Sequence, residues 1–176
     1  IDELRDKNDL AVLLVTHDLG IVRDRATNIA VLKNGQIVEK GLALDVVRSP
    51  KTDYSRELFA AAKVEWPDRA EVSQSTAPVS LTFDQVNKTF FTSKKDRENG
   101  LGITAAEEMS FSVRRGEIVA LIGESGSGKT TAAKMVMGLE LPDTGNIIVH
   151  PSKDHSSQKL SVQMIFQHPR DSLDPL

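Results

Sequence analysis

A glycine-rich segment in the second half of the chain has the residue types and the spacing of a phosphate-binding loop. It follows the pattern G-x-x-x-x-G-K-[ST] and comprises Gly123, Glu124, Ser125, Gly126, Ser127, Gly128, Lys129 and Thr130. Its glycines allow successive backbone N–H groups to point at phosphate oxygens. In this pattern Lys129 reaches the β- and γ-phosphates of a nucleotide, and the hydroxyl of Thr130 binds Mg²⁺. The motif therefore predicts a site for a nucleoside triphosphate and Mg²⁺, in which we include the next residue, Thr131, and it leaves kinases, GTPases and many other NTPases open.

The loop must be positioned by a strand before it and a helix after it, and the flanking residues predict both. The unbroken apolar run Ile118–Ile122 predicts a buried strand, and the residues from Lys129 to about Gly138 predict a helix. The positive amino-terminal end of such a helix attracts phosphate. A flexible glycine-rich turn is the alternative interpretation, and the predicted strand and helix argue against it.

Two sections with predicted strands and helices lie on either side of a polar stretch. In the first section we predict the end of a helix at residues 1–7, strands at residues 10–16, 28–32 and 36–39, and helices at residues 19–25, 43–48 and 54–62. In the second section we predict further strands at residues 81–86, 109–113, 146–149 and 160–166, and a charged loop at residues 94–99. The dipeptide Asn34-Gly35 suits a type I′ turn that joins two strands into a hairpin.

The polar stretch at residues 64–79 contains prolines near both ends and is typical of a linker. We therefore predict one domain part at residues 1–63 and another at residues 80–176. Either part alone would form a parallel sheet that lacks strands and exposes apolar faces.

The composition limits the classes of function that the chain can have. Apolar residues make up 39% of the 176 residues, which is enough for a packed core. The chain has no cysteine, which excludes disulfides, thiolate zinc sites and cysteine-ligated iron–sulfur clusters within it. Its longest apolar runs are far shorter than the roughly 20 residues of a membrane-spanning helix. The net charge of -3 is spread over mixed signs and gives no basic patch for nucleic acid.

The second section resembles the nucleotide-binding domain of ATP-binding cassette (ABC) ATPases. Residues 112–131 are similar to the strand and Walker A loop of that family, and residues 162–169, Val-Gln-Met-Ile-Phe-Gln-His-Pro, resemble its Q-loop. The resemblance implies that Gln167 contacts Mg²⁺ and the attacking water, and that it also touches membrane subunits. The departures are modest, since His168 and Asp174 stand where the family commonly has Asp and Asn.

The first section resembles the end of a cassette domain. Residues 12–22, Val-Leu-Leu-Val-Thr-His-Asp-Leu-Gly-Ile-Val, are similar to the switch-histidine strand, which implies that His17 contacts the γ-phosphate. A Walker B strand is excluded here because Thr16 and His17 separate Asp18 from the aliphatic residues. Residues 30–41 are similar to the hairpin that follows the switch histidine. The segment from Ser49 to Leu58 resembles the tail of oligopeptide and dipeptide importer ATPases.

The order of these resemblances predicts a tandem protein, because the end of one cassette domain precedes the beginning of another. A circularly permuted single domain is the alternative, but it too would need the middle of the domain. The chain contains no Leu-Ser-Gly-Gly-Gln-like signature and no strand that ends in paired carboxylates. We therefore expect this chain alone to be inactive as an ATPase. We also expect His17 and Lys129 to serve different ATP sites in the parent protein.

An aromatic residue stacks on adenine in this family, upstream of the Walker A loop at the end of the first strand. Phe90 fits that position best, with Phe91 beside it. An ordinary core phenylalanine is the alternative.

These patterns predict an α/β P-loop NTPase of the ABC type. The expected function is that of an ATP-binding and ATP-hydrolysing subunit of an ABC transporter that imports peptides or similar small solutes. The expected partners are transmembrane permease subunits and a second nucleotide-binding domain, with no nucleic acid. The expected location is the cytoplasmic face of the cell membrane, as a peripheral protein. The alternatives are a soluble ABC ATPase outside transport and a module that binds nucleotide without hydrolysing it.

Overall fold

The computed structural model describes residues 10–62, 64–66, 75–151 and 162–165. The strands in these ranges are β1 (Val12–Val15), β2 (Asn28–Lys33), β3 (Gln36–Leu42), β4 (Val79–Phe90), β5 (Ile103–Arg114), β6 (Ile118–Ile122) and β7 (Thr144–Val149). The helices are α1 (Leu19–Arg25), α2 (Ala43–Arg48), α3 (Asp53–Ala62), α4 (Lys94–Glu98) and α5 (Lys129–Val136). No helix in the described part of the chain is long and apolar enough to cross a membrane.

A four-stranded sheet with the order β1-β6-β2-β3 combines strands from both sections of the chain. β6 runs parallel to both of its neighbours, with Leu121 opposite Val15 of β1 and opposite Ala30 of β2. β2 and β3 form the predicted antiparallel hairpin. Its turn residues Asn34 and Gly35 both have positive φ, as a type I′ turn requires. Each section therefore supplies strands that the other lacks, while their assignment to two successive domains of a longer protein stays a prediction.

A second, antiparallel sheet has the order β5-β4-β7. β4 and β5 are 12 residues long each and extend well beyond the predicted strands. β4 begins at Val79, the last residue of the predicted linker. The additional pairing, which ends with Phe90 opposite Ile103, passes through several register shifts. These irregularities interrupt the alternation of apolar and polar residues from which strands are predicted.

Two further predictions from the sequence were wrong in the described residues. The charged loop predicted at residues 94–99 contains the short helix α4, because the side chain of Ser93 caps it by accepting a hydrogen bond from the N–H of Asp96. Residues 162–165, which were predicted as part of a strand at residues 160–166, are not in a strand. The other residues of that prediction lie outside the described ranges.

The side chains of β6 alternate between two apolar clusters on opposite faces of the four-stranded sheet. Val119 and Leu121 pack with residues of β4, β5 and α5. Ala120 and Ile122 pack with residues of α1, α2 and α3. All five residues of β6 are buried, as expected for a parallel strand that is covered on both faces.

Polar contacts fix β6 against β2 at the amino-terminal end of the strand. The hydroxyl of Thr27 donates to the carbonyl of Ile118 at 2.8 Å and accepts from the N–H of Ile118 at 3.0 Å. The buried carboxylate of Glu117 accepts hydrogen bonds from the Asn28 side chain and from the N–H of Arg114. These contacts join the two sections, because Thr27 and Asn28 belong to the first and the other residues to the second.

Helix α3 is held against β3 by Glu39, whose side chain is buried. Its carboxylate accepts hydrogen bonds from the N–H groups of Lys51 at 2.9 Å and Thr52 at 3.3 Å. Burial raises the pKa of the Glu39 carboxyl, but hydrogen bonds from Ser55, Lys51 and Thr52 outweigh burial and leave that pKa below its usual value of 4.5. The ionised carboxylate therefore stabilises the start of α3.

Replacing Leu121 with Ala is expected to lower the free energy of unfolding by roughly 2–5 kcal/mol, because it opens a cavity between the two sheets. Leu121 is fully buried, whereas Leu141 is 73% exposed and serves as the matched control. Leu141→Ala is expected to change the unfolding free energy by less than about 0.5 kcal/mol. Urea unfolding followed by circular dichroism measures both effects. Equal stability of the two variants would contradict the placement of β6 in the core.

Replacing Glu39 with Gln is expected to lower the free energy of unfolding by about 1–2 kcal/mol at pH 7. Because the pKa of Glu39 is lower in the folded chain than in the unfolded one, its carboxylate stabilises the fold above pH 4.5, and this contribution is lost as the pH falls through the folded pKa. The stability difference between the wild type and Glu39→Gln should therefore shrink between pH 7 and about pH 3. Urea titrations at both pH values test this.

The exposed Glu57 on the same helix provides the control for the Glu39 measurement. Glu57→Gln should leave the stability and its pH dependence close to those of the wild type. A difference in unfolding free energy between the wild type and Glu39→Gln that stays constant from pH 7 to about pH 3 would show that the carboxylate charge contributes nothing to stability.

Candidate functional site

The glycine-rich loop lies between β6 and α5, as the sequence predicts. Gly123 and Gly128 have φ values of 152° and 107°. A side-chain Cβ at Gly123 would lie 2.1 Å from the carbonyl oxygen of Leu32, and one at Gly128 would lie 2.0 Å from that of Ala105. Backbone from β2 and β5 thus passes so close to the loop that only glycine fits at these two positions.

The ammonium group of Lys129 folds back over the loop. It donates hydrogen bonds to the carbonyl oxygens of Gly123 at 2.9 Å and Glu124 at 2.7 Å, and to the hydroxyl of Ser127 at 3.3 Å. These three acceptors are neutral, and burial lowers the pKa of the Lys129 ammonium below the usual 10.5. A partly buried cation that is held by neutral oxygens has the electrostatic environment in which an anion binds favourably.

Further donors face the same region. The first N–H groups of α5 have no partner within the helix, and its N-cap residue Gly128 provides no side-chain hydrogen bond. Ser125, Gly126 and Thr130 are exposed, and no atom lies within 4 Å of the position that a Cβ of Gly126 would take. The loop is therefore open to solvent on the side from which a phosphate chain would approach.

These residues fit a triphosphate with Mg²⁺. Thr130, the second residue of α5, is exposed, and the adjacent Thr131 is half-buried. In the described ranges, His, Asp and Glu side chains form no group of three that could hold a metal ion. Thr130 provides an exposed hydroxyl in this loop, and Mg²⁺ in nucleotide sites prefers hard oxygen ligands, including those of phosphate.

His17 reaches the same edge of the sheet as the loop. β1 pairs with β6 up to Val15, and the N–H of Thr16 donates to the carbonyl of Leu121 at 3.3 Å. His17 follows directly and is exposed. The carboxyl ends of adjacent parallel strands therefore bring His17 and the start of the loop together.

Asp18, the next residue, caps helix α1. Its carboxylate accepts hydrogen bonds from the N–H groups of Gly20 at 2.8 Å and Ile21 at 3.4 Å. Capping is a structural role for this carboxylate.

Phe90 ends β4 and is paired with Ile103 of β5. Two residues further along β5, Ala105 contacts the loop at Gly128. The ring of Phe90 is 37% exposed, and the ammonium of Lys88 lies 5.2 Å from its centroid. Phe90 is therefore near the loop with an accessible ring rather than within the core.

Phe91 also has a cation beside its ring, since the guanidinium of Arg97 lies 5.3 Å from the ring centroid. Gln167 lies outside the described residues, as do His168 and Asp174. The predicted role of Gln167 therefore remains a prediction.

Two contacts from the first section support the loop and were not predicted from the sequence. The N–H of Gly35, in the hairpin turn, donates to the carbonyl of Ser127 at 2.9 Å. The hydroxyl of Tyr54, in α3, accepts from the N–H of Glu124 at 3.1 Å. The sequence analysis identified Gly35 only as part of a hairpin turn and Tyr54 only as part of the importer-like tail. Neither pattern indicates a contact with a residue 70 or more positions away.

Comparisons with known proteins agree with this geometry. The family model described as ABC transporter matches residues 106–175, which include the glycine-rich loop. The peptidoglycan transport ATP-binding protein YejF of Agrobacterium fabrum is 32% identical over 184 residues, which cover 99% of this chain and 33% of that protein. The glutathione import ATP-binding protein GsiA of Escherichia coli is 28% identical over 207 residues, with 99% and 33% coverage.

An uncharacterised ABC transporter ATP-binding protein of Escherichia coli, also named YejF, is 29% identical and covers 98% of this chain. The chain spans about a third of the length of the curated relatives that it matches. Residues 106–175 thus match the ABC transporter family, and the chain as a whole is related to ABC transporter ATP-binding proteins, including those of peptidoglycan transport and glutathione import.

Proposed function

We propose that this chain is part of the ATP-binding and ATP-hydrolysing subunit of an ABC transporter that imports peptides or similar small solutes. The observation that carries the proposal is the glycine-rich loop between β6 and α5, over which Lys129 is held by neutral oxygens. The relatives named for peptidoglycan transport and glutathione import support the class of solute, since both names refer to peptide-containing molecules.

Each residue near the loop has a distinct role in this proposal. Lys129 and the first N–H groups of α5 bind the β- and γ-phosphates, because their positive charge and unpaired donors face the open side of the loop. Thr130 holds Mg²⁺, which neutralises phosphate charge when it is bound. Phe90 offers an accessible ring for stacking on adenine. His17 contacts the γ-phosphate at the ATP site of its own domain, and Gln167, which lies outside the described residues, contacts Mg²⁺ and the attacking water.

The proposed transporter needs more than this chain. Hydrolysis requires a Walker B carboxylate and a catalytic glutamate, and the sequence printed here contains neither pattern. We propose that the transporter also contains a second nucleotide-binding domain, in the same parent protein, and transmembrane permease subunits. The assembled nucleotide-binding domains lie at the cytoplasmic face of the membrane. The alignment of nearly the whole chain with about a third of each relative supports this order of segments.

The assignment of His17 to one ATP site depends on which strands pair. In this chain β6 lies beside β1, so His17 is near the loop at residues 123–130. In a tandem parent protein, we propose that His17 serves the Walker A loop of its own domain, which precedes Ile1. In both arrangements, the strand before His17 pairs in parallel with the strand that precedes a Walker A loop. That loop is residues 123–130 in this chain and the loop of the first domain in the tandem protein.

Replacing Lys129 with Ala is expected to weaken binding of a fluorescent ATP analogue by about 3 kcal/mol, or roughly a hundred-fold, because charge-assisted hydrogen bonds to phosphate are lost. Lys134, an exposed lysine on the same helix, provides the matched control. Lys134→Ala should bind like the wild type. Titrations of the wild type and both variants at one salt concentration test the prediction, and equal affinity of wild type and Lys129→Ala would refute it.

The isolated 176-residue chain is expected to bind nucleotide without hydrolysing it above background, because its sequence contains no Walker B or catalytic-glutamate pattern to polarise the attacking water. A coupled assay of phosphate release, with Lys129→Ala as the blank, measures this. Phosphate release that is present in the wild type and absent in Lys129→Ala would show that the chain contains a complete catalytic site.

A further inference from the structure

The hydroxyl of Tyr54 contacts the phosphate-binding loop, although its ring belongs to the apolar cluster on the other face of the sheet. Tyr54 is in the first turn of α3 and is 8% exposed. Its hydroxyl accepts the hydrogen bond from the N–H of Glu124 at 3.1 Å. The ammonium of Lys33 lies 4.7 Å from the centroid of the ring, which adds a cation–π contact. The side chain is therefore restrained at the ring and at the hydroxyl.

The N–H of Glu124 belongs to the same peptide unit as the carbonyl of Gly123. That carbonyl accepts a hydrogen bond from Lys129 at 2.9 Å. Because a trans peptide is planar, its N–H and C=O groups point in opposite directions. Tyr54 and Lys129 thus hold one peptide plane from opposite sides.

This peptide needs an external restraint. Gly123 has a φ of 152°, a conformation that glycine adopts easily and leaves easily, since it has no Cβ. A rotation of the peptide would turn the Gly123 carbonyl away from Lys129. The hydrogen bond to Tyr54 opposes that rotation.

We propose that Tyr54 is a positioning residue for the nucleotide site, whose hydroxyl fixes the Gly123–Glu124 peptide so that Lys129 is held over the loop before phosphate binds. The proposal rests on the proposed function of this loop as an ATP site and concerns the pairing found in this chain; in a tandem parent protein, the Tyr54 hydroxyl would hold the Walker A loop of its own domain. Tyr54 acts through Glu124 and Gly123 rather than on the phosphates. A loop that is already ordered loses less conformational freedom on binding, and therefore binds more tightly.

Tyr54→Phe tests the proposal in the 176-residue chain, because it removes the hydroxyl and keeps the ring. The variant is expected to bind a fluorescent ATP analogue about three- to ten-fold more weakly, the effect of losing one ordinary hydrogen bond. The amide proton of Glu124, followed by NMR in the nucleotide-free chain, is expected to exchange with solvent faster. The melting temperature reports separately on the fold.

Ser55→Ala provides the matched control, because it removes the next hydroxyl along the helix. Ser55 is fully buried and its hydroxyl accepts from that of Thr52 at 2.8 Å, so the variant disturbs α3 without removing a contact to the loop. Ser55→Ala should lower the melting temperature and leave both the affinity and the Glu124 exchange unchanged.

The outcomes separate this proposal from the assignment of the ATP site. If Lys129→Ala weakens binding while Tyr54→Phe alters neither affinity nor Glu124 exchange, the ATP site stands and the role of Tyr54 is refuted. If Ser55→Ala weakens binding as much as Tyr54→Phe, the effect belongs to α3 in general, and the role of Tyr54 is again refuted. Absence of nucleotide binding by the wild type would refute both proposals.

Discussion

The burial of β6 between β1 and β2 is the constraint on which the rest of the structure depends. This strand is apolar on both faces, and a strand of that kind is stable only when both faces are covered and both edges are paired. Both of its edges are paired with strands of the first section. The helices of the first section cover one face of β6, and the second sheet, which belongs to the second section, covers the other. The phosphate-binding loop begins where β6 ends, so its position follows from this packing.

The shape of the loop follows from how closely its neighbours approach. The carbonyl oxygens of Leu32 and Ala105 occupy the space that side chains at Gly123 and Gly128 would need. Hydrogen bonds from outside the loop then fix its backbone at Glu124 and Ser127. The positive charge of Lys129 is held above this backbone by neutral acceptors, so the charge is positioned without being neutralised. That arrangement favours an anion with several oxygens in line, such as a phosphate chain.

Local patterns in the sequence predicted the parts of the fold that depend on local interactions. The apolar run at β6, the hairpin turn at Asn34-Gly35 and the three helices predicted within residues 19–62 agree with the structure, while the helix end predicted at residues 1–7 lies outside the described residues. Helix α4 was missed although Ser93 and Asp96 have the spacing of a cap, because charged residues outweighed that signal. The placement of β6 and the contact from Tyr54 to Glu124 join residues 70 or more positions apart, and no periodic pattern records such pairs. The sequence also predicted the glycine-rich loop. The contacts that hold this loop in place are tertiary contacts, which local patterns do not predict.

The joining of two predicted domain parts in one sheet has a physical explanation. The apolar faces of a buried parallel strand and the polar groups at its ends determine where the strand packs. For β6, the polar contacts are those of Thr27 with Ile118 and of Asn28 with Glu117. Pairing β6 with β1 and β2 therefore buries the apolar faces that each of the two predicted parts alone would expose.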